Sequence, residues 1–139
     1  MKAEIPVREH AREQARALVE RLGRQAAKAA EASGPDAVHD LRVAIRRFGQ
    51  CLRVFAPFFP ARRRKRVRRR LRCMMDLAGE VRNRDLALEL VAGAGVPPRS
   101  AVVRRLTVER REAERAIRAA LARWQRRNIP HRWRAQLEL

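Results

Sequence analysis

His39-Asp40-Leu41-Arg42-Val43-Ala44-Ile45-Arg46-Arg47 carries two stripes at once. Leu41 and Ile45 continue through Phe48, Leu52 and Phe55 at spacings of three and four residues, the apolar face of an α-helix. His39, Arg42 and Arg46 recur at i, i+3 and i+7 along another face. A helix with a core-forming face and a cationic face is built to hold a polyanion against a folded bundle. In a chain of formal net charge +19, the anion implied is phosphate.

Proline and glycine isolate this helix. Ser33-Gly34-Pro35 precedes it and the segment from Pro57 to Pro60 follows it; further breaks run from Gly93 to Pro98 and over Asn128-Ile129-Pro130. Helices are predicted over roughly 7–32, 35–56, 61–92 and 99–127, with a tail at 128–139 that is a short helix or a frayed end. The inner stripe of the first is Ala11, Ala15, Leu18, Leu22, Ala26 and Ala29. That of the third is Val67, Leu71, Met74, Ala78 and Val81; that of the fourth is Val102, Leu106, Ala113, Ile117, Ala120 and Trp124. No strand-period alternation competes. Short connections favour antiparallel neighbours, so the expected fold is all-α, an up-down four-helix bundle in one domain spanning 1–139.

Composition agrees with a packed helical chain. Of 139 residues, 46% are hydrophobic, which is above the disordered regime, and only 4% are aromatic with no tyrosine, which favours helices over sheets. There are 34 Lys+Arg against 15 Asp+Glu, and the only lysines are Lys2, Lys28 and Lys65. Genomic base composition can explain arginine in place of lysine, but not the surplus of positive charge. That surplus repels itself in a compact state unless an anion relieves it. Arginine presents a planar fork that matches phosphate oxygens in pairs. Cys51 and Cys73 have neither a disulfide-framework nor a metal-site spacing, and Cys51 borders the apolar face of its helix. Residues 1–20 are charged throughout, unlike a secretory signal, and no apolar run approaches the ~20 residues of a membrane helix. A reducing cytoplasm is the expected location.

The third helix opens with Arg62, Arg63, Arg64, Lys65, Arg66, Arg68, Arg69, Arg70 and Arg72, nine basic residues in eleven. Like charges at i, i+4 destabilise a helix, and cations at its N-terminus oppose the macrodipole. Such a run implies a bound anion in the working state, or else a solvated basic end. Further arginines, Arg104, Arg111, Arg115 and Arg118, are assigned to the outer face of the fourth helix, and Arg8, Arg12 and Arg16 to the first. Asp85 falls within the apolar stripe of the third helix. A carboxylate there needs a cation, and Arg82 or an arginine of the second helix is the expected partner.

The stretch from Asp36 to Arg47 resembles the motif of CHAD domains, the conserved-histidine α-helical domains. Leu77-Ala78-Gly79-Glu80-Val81-Arg82-Asn83-Arg84-Asp85-Leu86 resembles the family's glycine-to-arginine-aspartate segment. The family form has an aspartate directly after the arginine. Here Asn83 stands in that place, and Asp85 matches the second acidic position. The resemblance implies helical bundles whose basic surface binds inorganic polyphosphate without catalysis, in some members at polyphosphate granules. It implies that His39, Arg42, Arg46 and Arg47 line the anion site with Arg82 in support. Arg47 lies about a quarter turn off the stripe. CHAD domains typically hold two related four-helix halves, each with a histidine motif. This chain has one motif, since neither His131 (followed by Arg132-Trp133-Arg134) nor His10 (followed by Ala11-Arg12) repeats it. A half-length member pairing as a homodimer is the corresponding expectation.

The candidate polyphosphate-binding residues are therefore His39, Arg42, Arg46, Arg47 and Arg53 on the second helix, Arg66, Arg69 and Arg82 on the third, and Arg111 and Arg115 on the fourth. Protonated histidine should strengthen binding, which should weaken as pH rises through the imidazole range and as salt increases. The alternative is a general polyanion or nucleic-acid backbone binder. The aromatics fall on core stripes or near turns, which argues against base stacking. An enzyme is not expected. Phosphoryl transfer calls for a carboxylate cluster to hold Mg²⁺ or a phosphate-cradling glycine loop, and the sequence has neither pattern. No catalytic residue, cofactor, metal or membrane partner is expected.

Overall fold

The computed structural model describes residues 4–139, with side chains described from residue 6. Among these residues the chain forms five α-helices and no strand: α1 Glu4–Glu31, α2 Pro35–Val54, α3 Ala61–Gly93, α4 Ala101–Arg127 and α5 Ile129–Gln136. One 3-10 turn, Ala56–Phe58, links α2 to α3.

Local chemistry sets the boundaries. Beyond the end of α1, the Ser33 hydroxyl donates back to the Ala29 carbonyl at 2.6 Å. Gly34 is extended, and Pro35 then enters the first turn of α2, where its missing N–H is no loss. Asp36 in that turn complements the helix dipole. Ser100 starts α4 by accepting the Val103 N–H at 3.4 Å. Asn128 ends α4 in the left-handed region (φ 52°), which asparagine tolerates, and Pro130 lies in the first turn of α5.

α2 packs between α1 and α3, α3 packs on α4, and α4 returns to α1. Side-chain pairings record the register. His10 meets Phe55 edge-on, while Leu18 shares a hollow with Arg47 and Cys51. Gly49 approaches Leu71, and Ile45 shares a hollow with Met75. Trp124 lies by Val19 and Gly23, whereas Arg110 reaches Ser33.

Most of the expected inner stripes are buried: Ala11, Ala15, Leu22, Ala26 and Ala29 on α1; Leu41, Ile45, Phe48 and Leu52 on α2; all five residues on α3; Ile117, Ala120 and Trp124 on α4. Three differences have physical reasons. On α1, Val19 is the fully buried residue and Leu18 only flanks the core. Phe55 is half-buried because α2 has ended at Val54. On α4, Val102 is exposed and Leu106 and Ala113 are half-buried. The 33-residue α3 is about 50 Å long against about 30 Å for the 20-residue α2. The far ends of α3 and α4 therefore extend past the α1–α2 turn, and their apolar residues meet less protein.

The tail is not frayed. α5 packs on α1 and α4 and inserts Trp133, which is 2% exposed. Trp133 stacks on Phe48 with ring centroids 6.0 Å apart and meets Trp124 edge-on at 5.2 Å. Leu137 is buried behind it. Tryptophan burial of this kind dominates the energetics of a small core.

Candidate functional site

The groove between α2 and α3 gathers the cations. At about 100° per residue, His39, Arg42, Arg46 and Arg53 share a sector of α2 about 60° wide. Arg64, Arg68, Arg72 and Arg82 share a sector of α3 about 80° wide. The two sectors meet. Arg46, Gly49, Arg68, Arg72 and Asp76 line a single hollow between the helices. A Cβ at Gly49 would lie 3.9 Å from Leu71, in ordinary contact, and one at Gly79 would meet nothing within 4 Å. The groove floor is thus short of side chains, and its rims are arginine.

Few carboxylates enter this groove. Among the described residues, Arg82 is the one arginine of these seven with an ion-pair partner, Glu89 at 3.9 Å. Arg42 and Arg64 are half-buried, and the Nε of each is buried without a hydrogen-bond acceptor. Arg46, Arg53, Arg72 and His39 are exposed.

The carboxylates collect instead between α3 and α4. Arg84 pairs with Glu80 and, at 3.7 Å, with Glu109; Arg105 pairs with Glu109 at 3.2 Å. Arg110 donates to Asp85 Oδ1 at 3.0 Å, to Glu114 and to the Ser33 carbonyl at 2.7 Å. The expected partner of Asp85 is thereby corrected. The cation is Arg110 of α4, not Arg82 or a residue of α2. Asp85 lies on the α4 side of the core, whereas Arg82 turns toward the groove and takes Glu89.

The remaining candidates are dispersed. Arg47 lies about 100° from Arg46 and lines the α1–α2 seam with His10 and Gln14. Arg66 lies on the opposite side of α3, in a hollow with Arg127 and Arg132. Arg69 is exposed, on the ridge of α3 away from Val67. Arg111 and Arg115 are exposed on α4, which packs on α3 and α1 and so stands diagonally across from α2. These five, Arg47, Arg66, Arg69, Arg111 and Arg115, do not join the α2–α3 groove. A sum of charge over helices carries no information about which faces meet. Arg118, expected on an outer face, donates to the Glu31 carbonyl at 3.3 Å and so satisfies the end of α1.

Sequence reasoning missed Arg64, Arg68 and Arg72. Arg62, Arg66 and Arg70 repeat the same i, i+4, i+8 spacing on another side of α3, so spacing alone does not single out Arg64, Arg68 and Arg72. Burial pushes the Cys51 thiol above its ordinary pKa. Among the described residues no group of three or more His, Cys, Asp and Glu converges as a metal site, and no helix is long and apolar enough to cross a membrane.

Neither the curated proteins nor the solved structures contain a match to this chain. A family model described as CHAD domain matches residues 13–138, a range that holds both the His39 motif and the Arg82 segment. With nearly its whole length matched, the chain belongs to the CHAD-domain family.

Proposed function

We propose that this protein binds inorganic polyphosphate, without catalysis, along the α2–α3 groove. The observation that carries this reading is the convergence of six groove arginines with no carboxylate partner among the described residues, whereas Arg84, Arg105 and Arg110 between α3 and α4 each have one. Each phosphate unit meets guanidinium forks and gives up condensed counterions, so binding is favoured by entropy and weakened by salt. The unpartnered Nε donors of Arg42 and Arg64 are costly as they stand, and an anion that draws their forks toward it offsets that cost. His39 adds charge when protonated. The bundle is read as up-down and antiparallel, in keeping with the side-chain register, and as one half of a CHAD architecture acting in the cytoplasm.

Two copies paired about a twofold axis would rebuild the two-half arrangement. Exposed Leu90 and Val108 on the protruding ends of α3 and α4 offer apolar surface for that pairing. Light scattering with and without polyphosphate tests it, and a strict monomer under both conditions removes it.

Competition tests the function. Labelled long-chain polyphosphate is bound at about 0.15 M salt, where weak surface charge is screened, and competed with duplex DNA, RNA and orthophosphate. Polyphosphate should win at matched phosphate concentration, and Arg42→Glu with Arg46→Glu should abolish binding along the α2–α3 groove. Equal competition by DNA or RNA would make the protein a general polyanion binder instead.

A further inference from the structure

A second arginine cluster lies on the far side of α3. Arg66 and Arg70 project roughly 160° away from Arg68 and Arg72. They border a hollow of about 420 Å³ that Arg127 of α4 and Arg132 of α5 complete, with Trp133 and Gln136 in its wall. No carboxylate lines this hollow, and none of the four arginines has an ion pair among the described residues. Arg70 and Arg127 also border the adjoining hollow along α3 and α4, together with Arg123.

This convergence is held in place. Trp133 is buried in the core, which fixes Arg132 beside it in sequence. The left-handed turn at Asn128 sets Arg127 against the start of α5. Ile129, buried, anchors that turn. Arg63 donates to the Gln136 carbonyl at 3.3 Å and ties α3 to the end of α5. Four arginines from three helices thus border one concavity that has no negative side chain to neutralise them. A solvated surface arginine is free to turn away from its like neighbours. These four are exposed as well, but the elements that carry them are positioned by the core, so their charges border one hollow and the repulsion there is relieved when an anion enters.

We infer that this hollow is a second oxyanion site, which takes a short phosphoanhydride chain and is independent of the α2–α3 groove. Planar forks bind adjacent phosphate oxygens in pairs, so a chain of two or three linked phosphates engages more of them than orthophosphate does. Such a chain has two sources: the end of an inorganic polyphosphate and the tail of a nucleoside triphosphate. Trp133 at 2% and Trp124 at 7% exposure leave no aromatic face for a base, which favours the inorganic chain. With sites on opposite sides of α3, one molecule can hold two chains.

Calorimetric titration with tripolyphosphate at about 0.15 M salt tests this on three proteins. These are the wild type, a hollow variant (Arg70→Ser with Arg132→Ser) and a groove variant (Arg46→Ser with Arg72→Ser). All four positions are exposed, and thermal melts check folding; Arg132→Gln alone serves if the double hollow variant melts early. The wild type should bind two equivalents, and the hollow variant should lose one of them. An unchanged stoichiometry in the hollow variant overturns the second site, whether the wild type binds one equivalent or two. If the groove variant keeps both equivalents while the hollow variant loses one, the groove reading fails and the second site stands. ATP should bind the groove variant no more tightly than tripolyphosphate does. Binding of ATP more than tenfold tighter there overturns the inorganic assignment.

Discussion

Arg110 reaches Asp85 on α3, Glu114 on its own helix and the Ser33 carbonyl beyond the end of α1. It thereby joins three helices at one level of the molecule. The Asp85 and Arg110 side chains are 8% and 15% exposed, so removing one partner leaves a charge poorly solvated. Asp85→Ala should cost about 3 kcal/mol in urea denaturation. Arg82→Ala, which breaks only a 3.9 Å pair with exposed Glu89, should stay within about 0.5 kcal/mol while weakening polyphosphate binding. A large loss for Arg82→Ala with none for Asp85→Ala would reverse these roles. The cysteines separate by burial: Cys51 is buried and Cys73 exposed. Burial holds the Cys51 thiol protonated in the folded state, so its contribution to stability is present at neutral pH and is lost as pH rises past the ordinary thiol range. A thiol reagent at mildly alkaline pH should label Cys73 in the native protein and Cys51 only after denaturant is added.

Element lengths explain what the stripes alone do not. α3 exceeds α2 by thirteen residues, so its last turns and the first turns of α4 run on beyond the α1–α2 turn. There Leu90 is 72% exposed and Val102 is 45% exposed, although each sits on a helix with a regular apolar pattern elsewhere. Gly79 lies in the middle of α3, where an added methyl group would have open space around it, with nothing within 4 Å. Gly79→Ala should therefore stabilise the protein by about 0.5–1 kcal/mol, read from the shift of the denaturation midpoint. A loss of stability would mean that the groove floor is closely packed. α5 is only eight residues long, too short to be stable alone. It forms because Trp133 and Leu137 bury against the core. Trp133→Ala should cost about 3–5 kcal/mol and release α5, which loss of helical circular dichroism and proteolysis at the C-terminal end would report.

At the scale of the whole molecule, thirty-four cations and fifteen anions are not evenly mixed. Carboxylates pair with Arg84, Arg105 and Arg110 where the second half of α3 meets the first half of α4, and the two flanks of the basic start of α3 are left positive. Affinity for polyphosphate should accordingly fall linearly on a log–log plot against salt. Each groove arginine removed should reduce the slope by about 0.7–0.9, by analogy with nucleic acids. A slope unaffected by Arg46→Ser with Arg72→Ser would place the binding elsewhere. Much of this molecule is local and therefore readable from residue order. The period of Leu41, Ile45, Phe48 and Leu52, the break at Ser33-Gly34-Pro35 and the His39-Arg42-Arg46 stripe depend on neighbours within one or two turns. They are enough to establish the helices, most of the core and one wall of the groove. The other wall, Arg64, Arg68 and Arg72, is hidden in a run of nine cations, because only the packing of α3 on α2 distinguishes one side of that run from another. The partner of Asp85 lies 25 residues away on α4, and the helical character of the tail rests on contacts of Trp133 with Phe48 and Trp124. Backbone periodicity and capping act over a few residues and are written in the chain. Which face meets which depends on helix length, register and burial summed over distant segments, and those terms exist only once the helices have packed.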